Sequence, residues 1–506
     1  MCKHRLTLGV LVLLVLVVPA SAATRTWTGL GADTNWTTPA NWDVLPVAGD
    51  DLVFPGGVPA PSLTNNNDFP AGTAFNSITF SANGYALNGN QITLGAGGIA
   101  GTSNVAPQTN DINFDIALGA DVTIDLVNGN QLTISGVISG PQNILKTGSG
   151  NVQLAGANTF SGTFSLNGYL LVILDGQALG AADGTPATGT TVAPFTAIDI
   201  FNPVAVGNEA LTLNGSGAGG PGALYTVAAA SWAGPITLAT DTTIAPLAGT
   251  LSLDGPIGGP GGLTMAGSAT LLLTAAETYG GPTMLNAGET IVQGSISAAS
   301  PVTVNTGALL GLSNSGTVGA VTSIGGTVFP GRGGSGVGNS GDLTLDAAST
   351  FTVQLNSTVP GFFSNLHVTG AVGLGGSTLS VGVGPSTNPG DAFTIIDNDG
   401  VDAVNGIFNG LPEGTIFNTG GFQFQITYVG GTGNDIVLTE IAGAPTPTPT
   451  PTATVTPTVT ITPGGPTPTP IPPPAGGTIP TLSFPMLALL AVALAATALL
   501  VMRKNV

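Results

Sequence analysis

Residues 143–162 read NILKTGSGNVQLAGANTFSG and contain one charged side chain, Lys146. Apolar and polar residues alternate through Val152 and Leu154, which is the period of a β-strand with one buried and one solvent-facing side. Glycine and asparagine recur between these short runs, and glycine accepts the positive φ of tight turns without steric cost. The segment therefore predicts very short β-strands separated by tight turns.

Similar short alternations fill most of the chain. Examples are VTIDL from Val122, LTLN from Leu211 and FTVQL from Phe351. The sequence holds 78 glycines, many of them at the ends of such runs, and no long amphipathic helical pattern interrupts the runs. We therefore predict an all-β body over residues 23–441.

An internal repeat indicates which all-β architecture is present. Residues 129–172 recur at 248–292, with an offset of 119 positions as far as Asn167, and the similarity extends to copies of about 116–172 and 236–292. A solenoid repeats in this way because every turn has nearly the same neighbours, whereas a β-sandwich has no such requirement. We therefore expect a solenoid with turns of about 20–25 residues.

The repeat resembles the autotransporter-associated β-strand repeat, also called the passenger-associated transport repeat, whose core reads Gly-Gly-Leu-x-Lys-x-Gly-x-Gly-x-Leu-x-Leu-x-Gly-x-Asn-x-Tyr/Phe-x-Gly. The residues that fit this register are Ile144, Lys146, Gly148, Gly150, Val152, Leu154, Gly156, Asn158, Phe160 and Gly162. The second copy departs from it, with Met265 at the lysine position and Glu277 at the asparagine position. The resemblance covers most of residues 24–440. It implies a right-handed parallel β-helix displayed outside the cell, with its last turns over 300–441.

The N-terminal part of the body, residues 24–60, contains three of the four tryptophans, Trp27, Trp36 and Trp42. One interpretation is a cap that covers the open end of the solenoid core, because terminal repeats need such a cover. The alternative is a patch of exposed rings that stack on the sugars of a glycan partner.

Residues 1–22 have the features of a secretory signal peptide. Lys3 and Arg5 form a positive start, an apolar run follows, and small residues lead to a predicted cleavage between Ala22 and Ala23. The only cysteine, Cys2, lies in the part that is removed, so we expect no disulfide in the mature protein.

The C-terminal part predicts a stalk and an anchor. Residues 442–478 are a Pro/Thr-rich linker that cannot form a helix or a β-ladder, and we expect it to be disordered and extended. The run 484–502 is uncharged and long enough for one transmembrane helix, and the basic tail after it favours the cytoplasmic side. These segments stand where an autotransporter carries its translocating barrel.

Just before that run, within residues 479–506, a short motif resembles the IPTL-type C-terminal protein-sorting signal of Gram-negative envelopes. It consists of Ile479, Pro480, Thr481 and Leu482. The resemblance implies a sorting transpeptidase as a partner. We expect an exported protein of the cell envelope or cell surface that is at least transiently anchored in the membrane through its C-terminal helix.

The charge balance excludes one class of partner. All 26 Asp and Glu follow the signal peptide, whereas Arg25, Lys146 and Arg332 are the only Lys and Arg between the signal peptide and the C-terminal tail, so the body carries 26 − 3 = 23 net negative charges. Nothing in such a surface neutralises phosphates, and nucleic acid is therefore not an expected partner.

Two acidic motifs are weak candidates for a metal site. GGTGNDIVL, with Asp435, matches one calcium-binding nonapeptide of repeats-in-toxin proteins, although such sites need several turns in tandem. DNDG, with Asp397 and Asp399 and with Asp402 nearby, begins like an EF-hand loop but lacks the glutamate at its end. Calcium is the one cofactor that the sequence leaves open.

No set of residues has the spacing of a catalytic site. A polysaccharide lyase needs a base and cations, and a hydrolase needs paired carboxylates. Lys146 and Arg332 lie in a repeat position and in a glycine-rich turn, and His367 alternates outward between apolar residues. Asp121 and Asp125 could share one face of a strand without an evident partner. We assign no catalytic residue.

The sequence thus favours a non-catalytic cell-surface protein with a structural or adhesin-like role and an extracellular glycan or surface partner. The alternatives are a β-helix polysaccharide lyase or hydrolase, and a calcium-dependent adhesin.

Overall fold

The computed structural model describes residues 22–103, 108–127, 129–332 and 336–442. These residues form 45 short strands and two single 3-10 turns, Pro39–Asn41 and Ala60–Leu63. The first fifteen strands, β1 to β15, are Thr24–Thr26, Asp51–Phe54, Thr64–Asn67, Thr73–Phe80, Ala86–Gly89, Ile92–Gly101, Gln108–Ile112, Ile116–Leu118, Val122–Leu126, Asn130–Ile134, Ile138–Ser139, Ile144–Thr147, Asn151–Leu154, Phe164–Leu166 and Leu170–Ile173.

The middle of the chain continues with further strands, most of them short. Strands β16 to β31 are Thr190–Val192, Ala197–Ile200, Val204–Val206, Leu211–Gly215, Leu224–Thr226, Ala230–Trp232, Ile236–Pro246, Thr250–Leu253, Ile257–Gly258, Leu263–Met265, Thr270–Leu273, Ala276–Glu277, Thr283–Leu285, Gly288–Val292, Ser295–Ile296 and Val302–Asn305. Strands β32 to β45 are Ala308–Leu312, Gly316–Thr317, Val321–Ile324, Thr327–Pro330, Val337–Ser340, Leu343–Leu345, Thr350–Leu355, Asn365–Val368, Val372–Gly373, Thr378–Val383, Ala392–Asn398, Ile416–Thr419, Phe422–Gly430 and Asp435–Ile441.

The strands stack as a parallel β-solenoid, which confirms the predicted all-β class. From β26 to β42 each turn contributes three strands, and every third strand pairs in parallel, as in β26–β29–β32 and β27–β30–β33. Thr270 pairs with Glu289, and Glu289 pairs in turn with Leu309, so successive turns return to the same face at nearly equal spacing. Parallel strands need a crossover between them, and here the rest of the turn provides it.

The two sequence copies fold alike. Strands β11, β13 and β14 have the bounds of β24, β26 and β28 shifted by the offset of the repeat. In both copies the inward residues are buried and their neighbours along the strand are partly exposed, as with Val152 and Leu154 around Gln153. The buried residues of successive turns form one continuous apolar core.

The C-terminal end differs from the predicted turns. Strand β45 pairs with β42 and with β44 in antiparallel orientation, and β43 pairs antiparallel with β44. Residues 416–441 are therefore an antiparallel meander rather than the last parallel turns. A bare final strand would leave its backbone N–H and C=O groups unpaired, and the returning β45 supplies partners to β42.

Several predicted segments lie outside the described residues. These are residues 1–21 of the signal peptide and residues 443–506, with most of the linker, the sorting motif and the helix over 484–502. Within the part that the structure describes, no helix has the length and apolar character needed to cross a membrane. The anchor therefore stays a prediction.

Candidate functional site

The three N-terminal tryptophans fill the end of the core. The ring of Trp42 meets those of Trp27 and Trp36 edge to face at 5.1 and 5.9 Å, and Trp36 contacts Phe54 at 5.7 Å. All three indoles are buried, and each Nε1 donates a hydrogen bond within the protein. Because no indole face is free, the interpretation of these tryptophans as a sugar-stacking patch is wrong.

The calcium candidates do not converge. The Asp397 carboxylate lies 3.2 Å from His367 Nδ1 on the neighbouring strand. Asp435 is buried and accepts a hydrogen bond from the backbone N–H of Asn398 at 3.1 Å, whereas Asp399 is exposed. Among the described residues, no three His, Cys, Asp or Glu side chains form a group that could hold a metal ion.

Asp121 and Asp125 connect successive turns. Asp121 accepts hydrogen bonds from the backbone and side-chain N–H groups of Asn143 at 2.8 and 3.1 Å, and these bonds lower its pKa. Asp125 accepts one from the Thr147 hydroxyl at 2.8 Å. Each carboxylate is satisfied by the next turn of the solenoid, which is an architectural role.

Lys146 points into the solenoid and is fully buried. Its ammonium group donates to the backbone oxygens of Gly148 at 2.9 Å, Gly150 at 2.5 Å and Gly168 at 2.7 Å, which uses all three of its donors. Burial lowers the pKa of Lys146 to about 8, against the opposing charge of Asp125. The lysine therefore ties one corner of two turns together and faces no solvent-accessible site.

Asn158 and Glu277 occupy equivalent corners of the two copies. Asn158 accepts from Ile138 N–H at 2.8 Å and donates to the Ala178 oxygen at 2.6 Å. Glu277, at the matching position of the second copy, accepts from Ile257 N–H at 2.5 Å, but its second oxygen, Oε1, has no partner among the described residues. Burial raises the pKa of Glu277 to about 7. This glutamate keeps the acceptor of the asparagine, but in its ionised form it lacks the donor of the asparagine.

Two further buried carboxyl groups were not identified from the sequence. Glu209 accepts from the Thr190 hydroxyl at 2.8 Å, and burial raises its pKa to about 7. Burial also raises the pKa of Asp199 to about 6, against the effect of a hydrogen bond from Tyr225. Strand alternation predicts burial only for apolar residues. The sequence therefore contained no indication that Glu209 and Asp199 are buried.

A surface cleft of about 590 Å³ lies beside β35 and β38. A longer turn creates it, because Thr350 pairs with Thr378 on the next turn, whereas Thr270 reaches its partner Glu289 after fewer residues. The extra residues form a loop over 356–362, and loops inserted into repeats often carry binding sites. The cleft is lined by Phe329, Gly331, Arg332, Gly336, Gln354, Asn356, Pro360, Gly361, Phe362, Phe363 and Ser364.

The tip of this loop is a hydrogen-bonded turn. Phe362 N–H donates to the Val359 oxygen at 3.0 Å across Pro360 and Gly361, and Gly361 has a φ of 87°. Proline followed by a glycine with positive φ is the pattern of a type II turn. The following residue, Phe363, forms a bridge with Leu355 that closes the loop, and it packs against the core. Phe362 is 64% exposed and faces outward.

Arg332 provides the charge of the cleft. Its guanidinium pairs with Glu289, with Nη2 3.2 Å from Oε2, and this pairing raises the pKa of Arg332. The arginine stem lies over Gly311, where a Cβ atom would come within 2.9 Å of Arg332 Cβ. Among the described residues that line the cleft, none is Asp or Glu. The arrangement can bind a ligand, but it lacks the paired carboxylates of a hydrolase.

Comparisons with known proteins agree with the solenoid. No protein-family model matches the chain. Over 106 residues, which are 21% of the chain, the sequence is 34% identical to the Adhesin BmaC autotransporter of Brucella suis biovar 1 (strain 1330), and the match spans 2% of that adhesin. The chain is thus similar, over about a fifth of its length, to an autotransporter adhesin, as fits a passenger-like repeat protein.

Proposed function

We propose that this chain is a non-catalytic, exported surface protein in which a right-handed β-helical rod has an adhesin-like or structural role. The Pro/Thr-rich residues 442–478 act as its stalk, and residues 479–506 sort or anchor it in the envelope. The observation that carries the proposal is the parallel solenoid itself, combined with the partial similarity to an autotransporter adhesin. Solenoids present long surfaces with repeated geometry, which suits binding and display.

The test is the location of the body on whole cells. An antibody against the body should label intact cells as strongly as permeabilised cells, and external protease should remove the label. Replacement of residues 479–482 by four alanines should retain the protein in the inner membrane, whereas the same replacement at residues 466–469 in the linker should have no effect. Labelling only after permeabilisation would contradict the proposal.

One observation favours a second candidate, a polysaccharide lyase or hydrolase. Glu289 pairs with Arg332 at the edge of the cleft, so a carboxylate and a cation do lie together there. Incubation of the purified chain with neutral and acidic polysaccharides would then release new reducing ends, and Glu289→Gln would abolish the release. The absence of new reducing ends with every polysaccharide would leave the non-catalytic proposal standing.

A calcium-dependent adhesin is the remaining candidate. It predicts that a chelator lowers the temperature of thermal unfolding and that Asp435→Asn removes this effect. An unfolding temperature that does not respond to chelator or to added calcium would eliminate it.

A further inference from the structure

The cleft on β35 and β38 combines aromatic surface with uncharged polar groups. Phe329, Phe362 and Phe363 supply apolar ring surface at different depths, from half-buried to exposed. Gln354 and Asn356 lie on the same side of β38 and the segment that follows, and the Gln354 amide donates to Asn356 Oδ1 at 3.0 Å. Ligand sites in proteins typically pair such apolar walls with a few well-placed polar groups.

Glycines on the next turn keep the two amides accessible. Gln354 pairs across the sheet with Gly382, and a Cβ atom there would clash with Gln354 Oε1. A Cβ atom at Gly384 would lie only 2.7 Å from Asn356 Oδ1, so this glycine likewise leaves room for the Asn356 amide. Neither Gln354 Oε1 nor Asn356 Nδ2 has a protein partner among the described residues. An amide acceptor and an amide donor are therefore available side by side.

The polar groups are positioned before any ligand binds. Ser364 is buried, accepts from Gln354 N–H at 2.9 Å and donates to the Pro330 oxygen at 2.6 Å. Gly336 N–H donates to the Gly361 oxygen at 2.9 Å, which ties the loop tip to the preceding turn. A site whose groups are held in place loses less conformational entropy when it binds.

The electrostatics exclude charged ligands. Glu289 neutralises Arg332, and the body carries 26 − 3 = 23 net negative charges, so an anionic polymer would be repelled as it approaches. A cationic ligand would find no unpaired carboxylate in the cleft, because none of the described lining residues is Asp or Glu and Glu289 at its edge is already paired with Arg332. A neutral molecule with apolar ring faces and hydroxyl edges satisfies both the rings and the amides.

We propose that this cleft binds a neutral oligosaccharide, which stacks on Phe362 and forms hydrogen bonds with Gln354, Asn356 and Arg332. The inference rests on the proposed adhesin-like function, to which it assigns a class of partner and a site. Phe362 is the central contact because it is exposed, presented by a hydrogen-bonded turn and free of core packing.

The test measures binding to the full-length chain purified in detergent. Calorimetric titration with cellopentaose, xylopentaose and mannopentaose should give saturable binding for at least one neutral probe, and tetragalacturonate should bind more weakly than that probe. Phe362→Ala and Asn356→Ala should each reduce the affinity at least tenfold. Phe201→Ala is the matched control, because Phe201 is a comparably exposed ring outside the cleft lining, and it should bind like the wild type.

Three results would overturn the proposal. These are no saturable binding of any neutral probe, stronger binding of tetragalacturonate or of a peptide, and wild-type affinity in both cleft variants. Thermal unfolding of each variant verifies that it is folded. Because binding is measured on purified protein and display on whole cells, a chain that is displayed but does not bind sugar would refute this site alone. A chain that binds sugar without reaching the surface would refute the display alone.

Discussion

The buried glutamates predict an unusual dependence of stability on pH. Burial raises the pKa of both Glu209 and Glu277 to about 7. The folded protein therefore holds their protons more tightly than the unfolded chain does between the unfolded value of about 4.3 and pH 7. The stability that these two protonated glutamates contribute is fully present at the acidic end of this window, and it is lost as the pH rises toward and through about 7.

The size of the effect follows from proton linkage. For one glutamate whose pKa rises to about 7 on folding, the free energy of unfolding falls by about 2.5 kcal/mol from pH 5 to pH 8. Asp199, with a pKa raised to about 6, changes stability in the same direction. Paired carboxylates have the opposite effect on stability, and they exert it at lower pH, below about pH 5.

Amide hydrogen exchange offers a local assay with a control in the same chain. Ile257 N–H is bonded to Glu277, whereas the equivalent Ile138 N–H is bonded to Asn158, which does not titrate. After correction for intrinsic exchange rates, the protection of Ile257 should decrease from pH 5 to pH 8 while that of Ile138 stays constant. Solenoids open locally, so a local probe is more informative than a global midpoint.

The Glu277→Gln variant should remove the change at Ile257. Asp402→Asn serves as its matched control, because Asp402 is exposed and the substitution leaves the buried glutamates intact. Equal changes at Ile138 and Ile257, or a persistent pH effect in the Glu277→Gln variant, would refute the assignment of the effect to this carboxyl group.

Three other predictions concern the ends and corners of the solenoid. Lys146→Met gives the first copy the methionine that the second copy has at this position, Met265. The substitution leaves three backbone oxygens without their buried donor. It should lower the free energy of unfolding by about 3 kcal/mol, measured in denaturant, whereas Met265→Leu should cost less than about 1.5 kcal/mol. Trp36→Ala should cost about 3–5 kcal/mol in the same measurement, because it empties the buried aromatic cluster, and a change near zero would contradict the cap. Gly361→Ala strains a residue with a φ of 87° and should speed proteolytic cleavage of the loop over 356–362, with unchanged global unfolding.

The class of the fold was predictable because it depends on short-range pattern. Alternation around Val152 and Leu154 specifies which side of each strand is buried, and repetition at a fixed offset requires successive turns to be similar. Both properties can be read without knowledge of distant contacts. The antiparallel meander over 416–441 was not predicted, because strand alternation is the same in parallel and antiparallel pairs.

The roles of the polar residues depended on contacts across turns. Lys146 and Asn158 were recognised as repeat markers, but only the stacked turns show that they satisfy backbone groups of neighbouring corners. Glu277 reads in sequence as an ordinary acidic residue, and its shifted pKa arises from burial between turns.

The sequence by itself therefore determined the solenoid, its repeat and its acidic character, since these follow from local periodicity and composition. The cleft needed the tertiary structure, because it joins residues of β35 and β38, which pair on successive turns, with the loop over 356–362. The sequence carries a faint sign of it in the Pro360-Gly361 pair, which indicates a turn inside a loop. The position of the Phe363 ring against the core and that of Arg332 over Gly311 are set by packing between turns, which no local pattern encodes.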